Sequence, residues 1–153
     1  MSFTIKSDSV KQTISIGKKL APYLQAGDII SLSGDLGAGK TVFSKGIAKG
    51  LDVSETLVSP TFMIIREYDG RLPLYHFDVY RISKKELADL GYEDYFYSKG
   101  VTVIEWGDKI KDMLGADYLS ITFEYGKHEF DRKLVFEGYG NWKKRVLELK
   151  KLF

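Results

Sequence analysis

Eight consecutive residues, Gly34-Asp35-Leu36-Gly37-Ala38-Gly39-Lys40-Thr41, carry the pattern GxxxxGK followed by a hydroxyl residue. Glycines at these places let successive backbone N–H groups turn inward, and a ring of inward N–H groups suits phosphate oxygens. Lys40 would reach the outer phosphates as a positive charge, and Thr41 would offer its hydroxyl to Mg2+. Val42 belongs to the first turn of the helix that starts there, whose positive dipole end faces the same anion. The expected phosphate-binding set is therefore Gly34, Asp35, Leu36, Gly37, Ala38, Gly39, Lys40, Thr41 and Val42.

A triphosphate needs a metal and, for turnover, an oriented water. Two acidic residues that follow apolar runs could serve. In Leu74-Tyr75-His76-Phe77-Asp78 a strand puts Leu74, His76 and Asp78 on one face, with Asp78 at the end where ligands gather in α/β sheets. In Val101-Thr102-Val103-Ile104-Glu105-Trp106 the more apolar run ends in Glu105, which suits orientation of the attacking water or contact with metal-bound water. Residue types and spacing leave both open as the metal residue. Ser59-Pro60-Thr61-Phe62 follows the helix after the glycine-rich loop, where nucleotide switches bring a threonine toward the outer phosphate; a plain proline turn is the alternative. Trp106 either flanks the nucleotide or closes the core. His76 reads as a packed strand histidine with no part in proton transfer.

The elements that must position these residues are legible from periodicity. The pattern predicts a strand at Phe3 to Lys6, a helix from Asp8 to Tyr23, a buried strand over Asp28 to Ser33 and a helix from Lys40 to Gly50. Extended segments over Met63 to Asp69 and Arg71 to Tyr80 are expected to pair through a tight turn at Asp69-Gly70. Ser83 and Glu86 form a capping-box pattern that opens a helix through Leu90, ended by Gly91. Val101 to Trp106 supplies another buried strand. Alternation predicts antiparallel strands over Tyr118 to Tyr125 and Arg132 to Glu137, and a helix over Asn141 to Leu149 follows. The fold class is α/β: a three-layer, P-loop NTPase-like domain with a mixed, largely parallel central sheet and antiparallel strands toward the C-terminus.

Composition narrows the chemistry further. With 153 residues and no linker or repeat, one domain is expected over 1–153. The chain holds no cysteine and two histidines, so any metal must be held by oxygen. The N-terminal MSFTIKSDSV lacks the features of a signal or transit peptide, and no run is apolar enough for a membrane, so a cytoplasmic protein is expected. A net charge of +2 is too small to argue for nucleic acid, and DNA is not an expected partner. In the last helix Trp142, Val146 and Leu149 share one side while Lys143, Lys144, Lys150 and Lys151 lie elsewhere, either as a solvated face or as a patch toward RNA.

GDLGAGKT, SPTF, HFDVYR, LGYEDYF and VIEW, in that order, closely resemble the bacterial TsaE (YjeE) family of small P-loop ATPases, required for the threonylcarbamoyladenosine modification of certain tRNAs. The likeness runs from the first helix to Trp106. It implies that Lys40 and the Gly37 to Thr41 backbone bind the triphosphate of ATP, and that Thr41 and Asp78 hold Mg2+. It also implies that Thr61 belongs to a switch segment and that Glu105 and Trp106 form an acidic-aromatic pair near the γ-phosphate, needed for turnover. Lys40, Thr61 and Glu105 are thus the expected catalytic residues. Two departures are visible: Asp35 stands where many members carry Glu, and Gly107-Asp108 follows Trp106 where Pro or Ala and then Glu are common. The resemblance further implies action with the TsaB and TsaD proteins, whose assembly the ATPase would reset, with tRNA contact through that complex.

Three rival readings share the loop. A small-molecule kinase of the shikimate or adenylate type needs an arginine-rich lid, but Arg66, Arg71, Arg81, Arg132 and Arg145 show no lid spacing. A GTPase needs an Asn-Lys-x-Asp base reader, but Asn141 is the chain's only asparagine and is followed by Trp142. A non-catalytic ATP-dependent binding module differs only in turnover, and Glu105 is the residue that separates it.

Overall fold

The computed structural model describes residues 1–58 and 64–153. In chain order its elements are β1 (Ser2–Ser7), α1 (Val10–Leu20), β2 (Ile29–Gly34), α2 (Lys40–Gly50), β3 (Ile65–Tyr68), β4 (Leu74–Asp78) and α3 (Lys84–Asp89). There follow α4 (Glu93–Phe96), β5 (Val101–Glu105), β6 (Tyr118–Tyr125), β7 (Arg132–Tyr139) and α5 (Trp142–Lys150). Short 3-10 segments, Ala21–Tyr23 and Gly107–Met113, extend α1 and follow β5.

The strands form one sheet in the order β1-β7-β6-β2-β5-β4-β3. β2 pairs in parallel with both β5 and β6, and β4 pairs in parallel with β5. The antiparallel pairs lie outside this center: β1 with β7 and β7 with β6 on one side, β3 with β4 on the other. The expected α/β class with a mixed sheet is what the chain adopts, parallel through the center of the sheet and antiparallel toward both edges.

Period-two alternation sorts side chains between two cores. Ile30, Leu32, Ile121 and Phe136 join Leu20, Phe43, Ile47 and Trp142 beneath α1, α2 and α5, whereas Ile29, Ile104 and Phe77 join Phe96 and Ile110 on the opposite face. Each such buried large side chain contributes roughly 1.5–3 kcal/mol relative to exposure. Ser9 caps α1 through its side chain, which accepts from the Gln12 N–H. The predicted capping box closes reciprocally between Ser83 and Glu86. In α5, Trp142, Val146 and Leu149 are buried together as the pattern requires. Arg145 of the same helix makes a two-pronged bond to Asp28 (2.6 and 2.8 Å) and lies over the Trp142 ring.

One local expectation is corrected. β3 and β4 do pair antiparallel, but β4 begins at Leu74 rather than Arg71, so their connection is wider than a tight Asp69-Gly70 turn. The Arg71 N–H donates to Leu51 O at 2.6 Å and its guanidinium to Ala21 O, which pulls this stretch onto the end of α2. Met63 and the whole Ser59-Pro60-Thr61-Phe62 stretch lie outside the described residues. Among those described, no helix is long and apolar enough to cross a membrane.

Candidate functional site

The loop from Gly34 to Gly39 joins the C-terminal end of the central strand β2 to the first turn of α2. Gly39 occupies the N-cap position with φ 112°, a left-handed conformation that L side chains rarely adopt. Among the described residues no side chain caps α2 there, so its leading N–H groups are available to an anion.

Lys40, the first residue of α2, is nearly fully buried. Its ammonium donates to Gly34 O at 2.6 Å and Asp35 O at 2.9 Å, and lies 3.9 Å from the centroid of the Trp106 indole. Burial lowers its pKa from the ordinary lysine value, while the charges of Glu105, Asp108, Asp35 and Asp78 act the other way. The Thr41 hydroxyl donates to Oε1 of Glu105 at 2.7 Å. Oε2 of Glu105 lies 2.5 Å from Nε2 of His76. Asp78 stands opposite Glu105 in the β4–β5 register and accepts the Tyr80 N–H at 3.0 Å. Burial raises the Asp78 pKa, and the neighbouring Glu105 charge adds to that.

A cavity of about 200 Å3 opens among these groups, lined by Leu36, Gly37, Gly39, Lys40, Thr41, Val42, Asp78, Glu105 and Trp106. The structure thus brings together most of the residues expected from the sequence. Gly34 and Asp35 act from outside the lining through carbonyls that hold Lys40, and Ala38 is buried behind the loop. Thr61 lies outside the described residues. Between the two candidate carboxylates, Glu105 is the one in direct contact with Thr41, while Asp78 lines the same cavity beside it. Trp106 takes a left-handed backbone (φ 66°), which costs a non-glycine residue roughly 1–2 kcal/mol. Its indole packs against Tyr80, whose ring in turn lies 4.7 Å below the ammonium of Lys109.

Sequence reasoning missed three participants. His76 contacts Glu105 instead of merely filling space. Arg132 donates to Ala38 O at 3.0 Å and to Gly37 O, and Tyr125 donates to Leu36 O at 2.7 Å, so the β6–β7 hairpin grips the outer carbonyls of the loop. The pair shares one register position, with the guanidinium 4.6 Å from the Tyr125 ring. A larger cleft of about 710 Å3 runs from this pair along Lys6, Ser7, Asp8 and Gln12. Nothing local marks these residues; only the pairing of distant strands brings them to the loop.

A family model described as "Threonylcarbamoyl adenosine biosynthesis protein TsaE" matches residues 7–134. A protein named tRNA threonylcarbamoyladenosine biosynthesis protein TsaE from Bacillus subtilis (strain 168) is 44% identical over 132 residues, covering 86% of this chain and 82% of the relative. One of the same name from Treponema pallidum (strain Nichols) is 43% identical over 109 residues, covering 71% and 81%. The crystal structure of YdiB from Bacillus subtilis superposes with a TM-score of 0.82 at 35% identity, covering 99% of this chain and 95% of that one. With its glycine-rich loop, buried lysine and Thr41–Glu105 contact on this fold, the chain belongs to the TsaE family of threonylcarbamoyl adenosine biosynthesis proteins.

Proposed function

We propose that this chain binds ATP with Mg2+ in the Gly34 to Thr41 cradle, hydrolyses it slowly, and thereby supports threonylcarbamoyladenosine formation on tRNA in the cytoplasm through a TsaB–TsaD assembly. The observation that carries this reading is the convergence of Lys40, Thr41, Asp78 and Glu105 on one cavity at the N-terminus of α2. One ammonium beside uncapped helical N–H groups suits the triphosphate. A hydroxyl and two carboxylates form an all-oxygen set, which suits a hard cation such as Mg2+. Thr41 and Asp78 would hold the ion, directly or through water, and when bound it would neutralise charge on the β- and γ-phosphates.

The chain's own residues then divide the work. Thr41 donates a hydrogen bond to Glu105, which leaves its oxygen lone pairs for the metal. Lys40 exchanges its present carbonyl partners for phosphate oxygens. Glu105 orients water at the outer phosphate, and Trp106 shields that end of the cavity. Lys40 is the one cation among the residues that line the cavity. A site with no arginine at the transferring phosphoryl group turns over slowly, well below a typical rate of about 10 s−1. The adenosine end has room in the larger cleft beyond Arg132 and Tyr125.

The test is to mix the chain with its host's TsaB and TsaD and to compare co-elution with ATP and with ADP. ATP-dependent association, lost in Lys40→Ala, is expected; equal association without nucleotide would refute the reading.

A further inference from the structure

His76 lies on β4 two residues before Asp78, fully buried on the sheet face that carries the cradle. Its Nε2 approaches Oε2 of Glu105 at 2.5 Å, and Oε1 of the same carboxylate accepts from Thr41 at 2.7 Å. Nδ1 is buried with no hydrogen-bond partner among the described residues. An ionised carboxylate only accepts, so the nitrogen that faces it carries the proton. The ring thus faces Oε2 of Glu105 with an Nε2–H.

From this geometry we infer that His76 is the positioning residue for Glu105, locking its carboxylate so that Oε1 stays on the Thr41 hydroxyl and Thr41 presents its lone pairs to the cavity. The inference rests on the Mg–ATP reading above and deepens it. Donation runs inward from both ends, His76 to Glu105 and Thr41 to Glu105, and this fixes the rotation of a carboxylate that is itself only 3% exposed. Without the Nε2–H, Oε2 would be a buried oxygen with no donor among the described residues; the carboxylate would swing toward the cavity, and Thr41 would lose its partner. Simple packing is disfavoured because an apolar ring of equal size would meet the volume and not the charge.

Three substitutions separate these roles. Gln places an amide N–H near the Nε2 position and does not titrate, Asn is too short to reach, and Phe fills the space without a donor. His76→Phe and His76→Asn are expected to slow single-turnover ATP hydrolysis by about 10- to 100-fold, the usual effect of losing a partner behind a metal-site ligand. Both should also lose most of the gain in ATP affinity that Mg2+ gives, measured by calorimetry, while ADP affinity without metal stays within about threefold. His76→Gln should restore both to within about threefold of the parent protein. A Phe variant equal to the parent, or a Gln variant as defective as Phe, would overturn the proposal. A parent protein that neither binds nor hydrolyses Mg–ATP would instead overturn the reading beneath it. Nitrogen NMR of the unsubstituted, metal-free protein tests the geometry with no variant: a proton on Nε2 is expected, and an unprotonated Nε2 would refute it.

Discussion

The ammonium of Lys40 lies 3.9 Å from the centroid of the Trp106 ring while it donates to two carbonyls of its own loop. A cation over an indole face is worth about 0.5–2 kcal/mol, and the two carbonyls that accept from the lysine are neutral groups of its own loop. A triphosphate offers stronger, charge-assisted bonds and draws the ammonium toward the cavity. ATP should therefore change Trp106 emission in a Trp142→Phe background, which removes the second indole, buried at α5. Lys40→Ala should weaken ATP binding at least about a hundredfold, or about 3 kcal/mol, the scale of two bonds to a charged group. Unchanged emission at saturating ATP would show that the ammonium does not leave the ring.

Arg132 holds the loop from outside, through Ala38 O and Gly37 O, and stacks on Tyr125. With those carbonyls pinned outward, the loop's N–H groups are set to face in. Arg132→Ala should lower ATP affinity roughly tenfold, about 1.4 kcal/mol, with a smaller loss of folding stability because the side chain is partly exposed. Calorimetry and urea unfolding on the same variant separate the two. A loss seen only in stability would reduce Arg132 to a surface brace.

The nucleotide loop was legible because its chemistry is contiguous: strand, glycines, lysine and threonine follow one another, and local periodicity frames them. The face shared by His76 and Asp78 was legible too, since period two within one strand requires it. The partner of His76 was not. It depends on β4 lying parallel to β5 in the register that sets Asp78 opposite Glu105, and register between strands far apart in the chain leaves no mark in either one. Arg132 was hidden for the same reason. α4, four residues from Glu93 to Phe96, is too short to show a helical period. The Arg145–Asp28 pair was hidden as well, because the carboxylate sits far off in the chain, just before β2.

Asp78 carries a pKa raised by burial and by the Glu105 charge. A carboxyl whose folded pKa exceeds its unfolded one binds its proton more tightly when folded, so the contribution to stability falls as pH rises from the ordinary carboxylate value through the folded one. Asp78→Asn keeps an oxygen for the Tyr80 N–H and removes the charge, so the nucleotide-free protein should be more stable at pH 7. The gain should vanish in acid, below the ordinary carboxylate range. The same variant should lose Mg2+ dependence of ATP binding. Urea titrations at neutral and acid pH check the sign, and a destabilised variant at pH 7 would contradict it.

Gly107, the residue after Trp106, lies against Ser31 of β2. A Cβ on Gly107 would stand 2.0 Å from the Ser31 hydroxyl oxygen and 2.9 Å from its Cβ. The hydroxyl can rotate away, but the buried Cβ beneath it cannot. Gly107→Ala should therefore cost about 1–2 kcal/mol through overpacking, and Ser31→Gly in the same chain should recover most of it. Because Gly107 adjoins Trp106, the single variant should also shift the indole against Lys40 and alter its emission, and the double variant should return it. A double-mutant cycle on stability measures the coupling directly. Additive losses would mean that the two residues do not meet, and that Gly107 answers to some other neighbour.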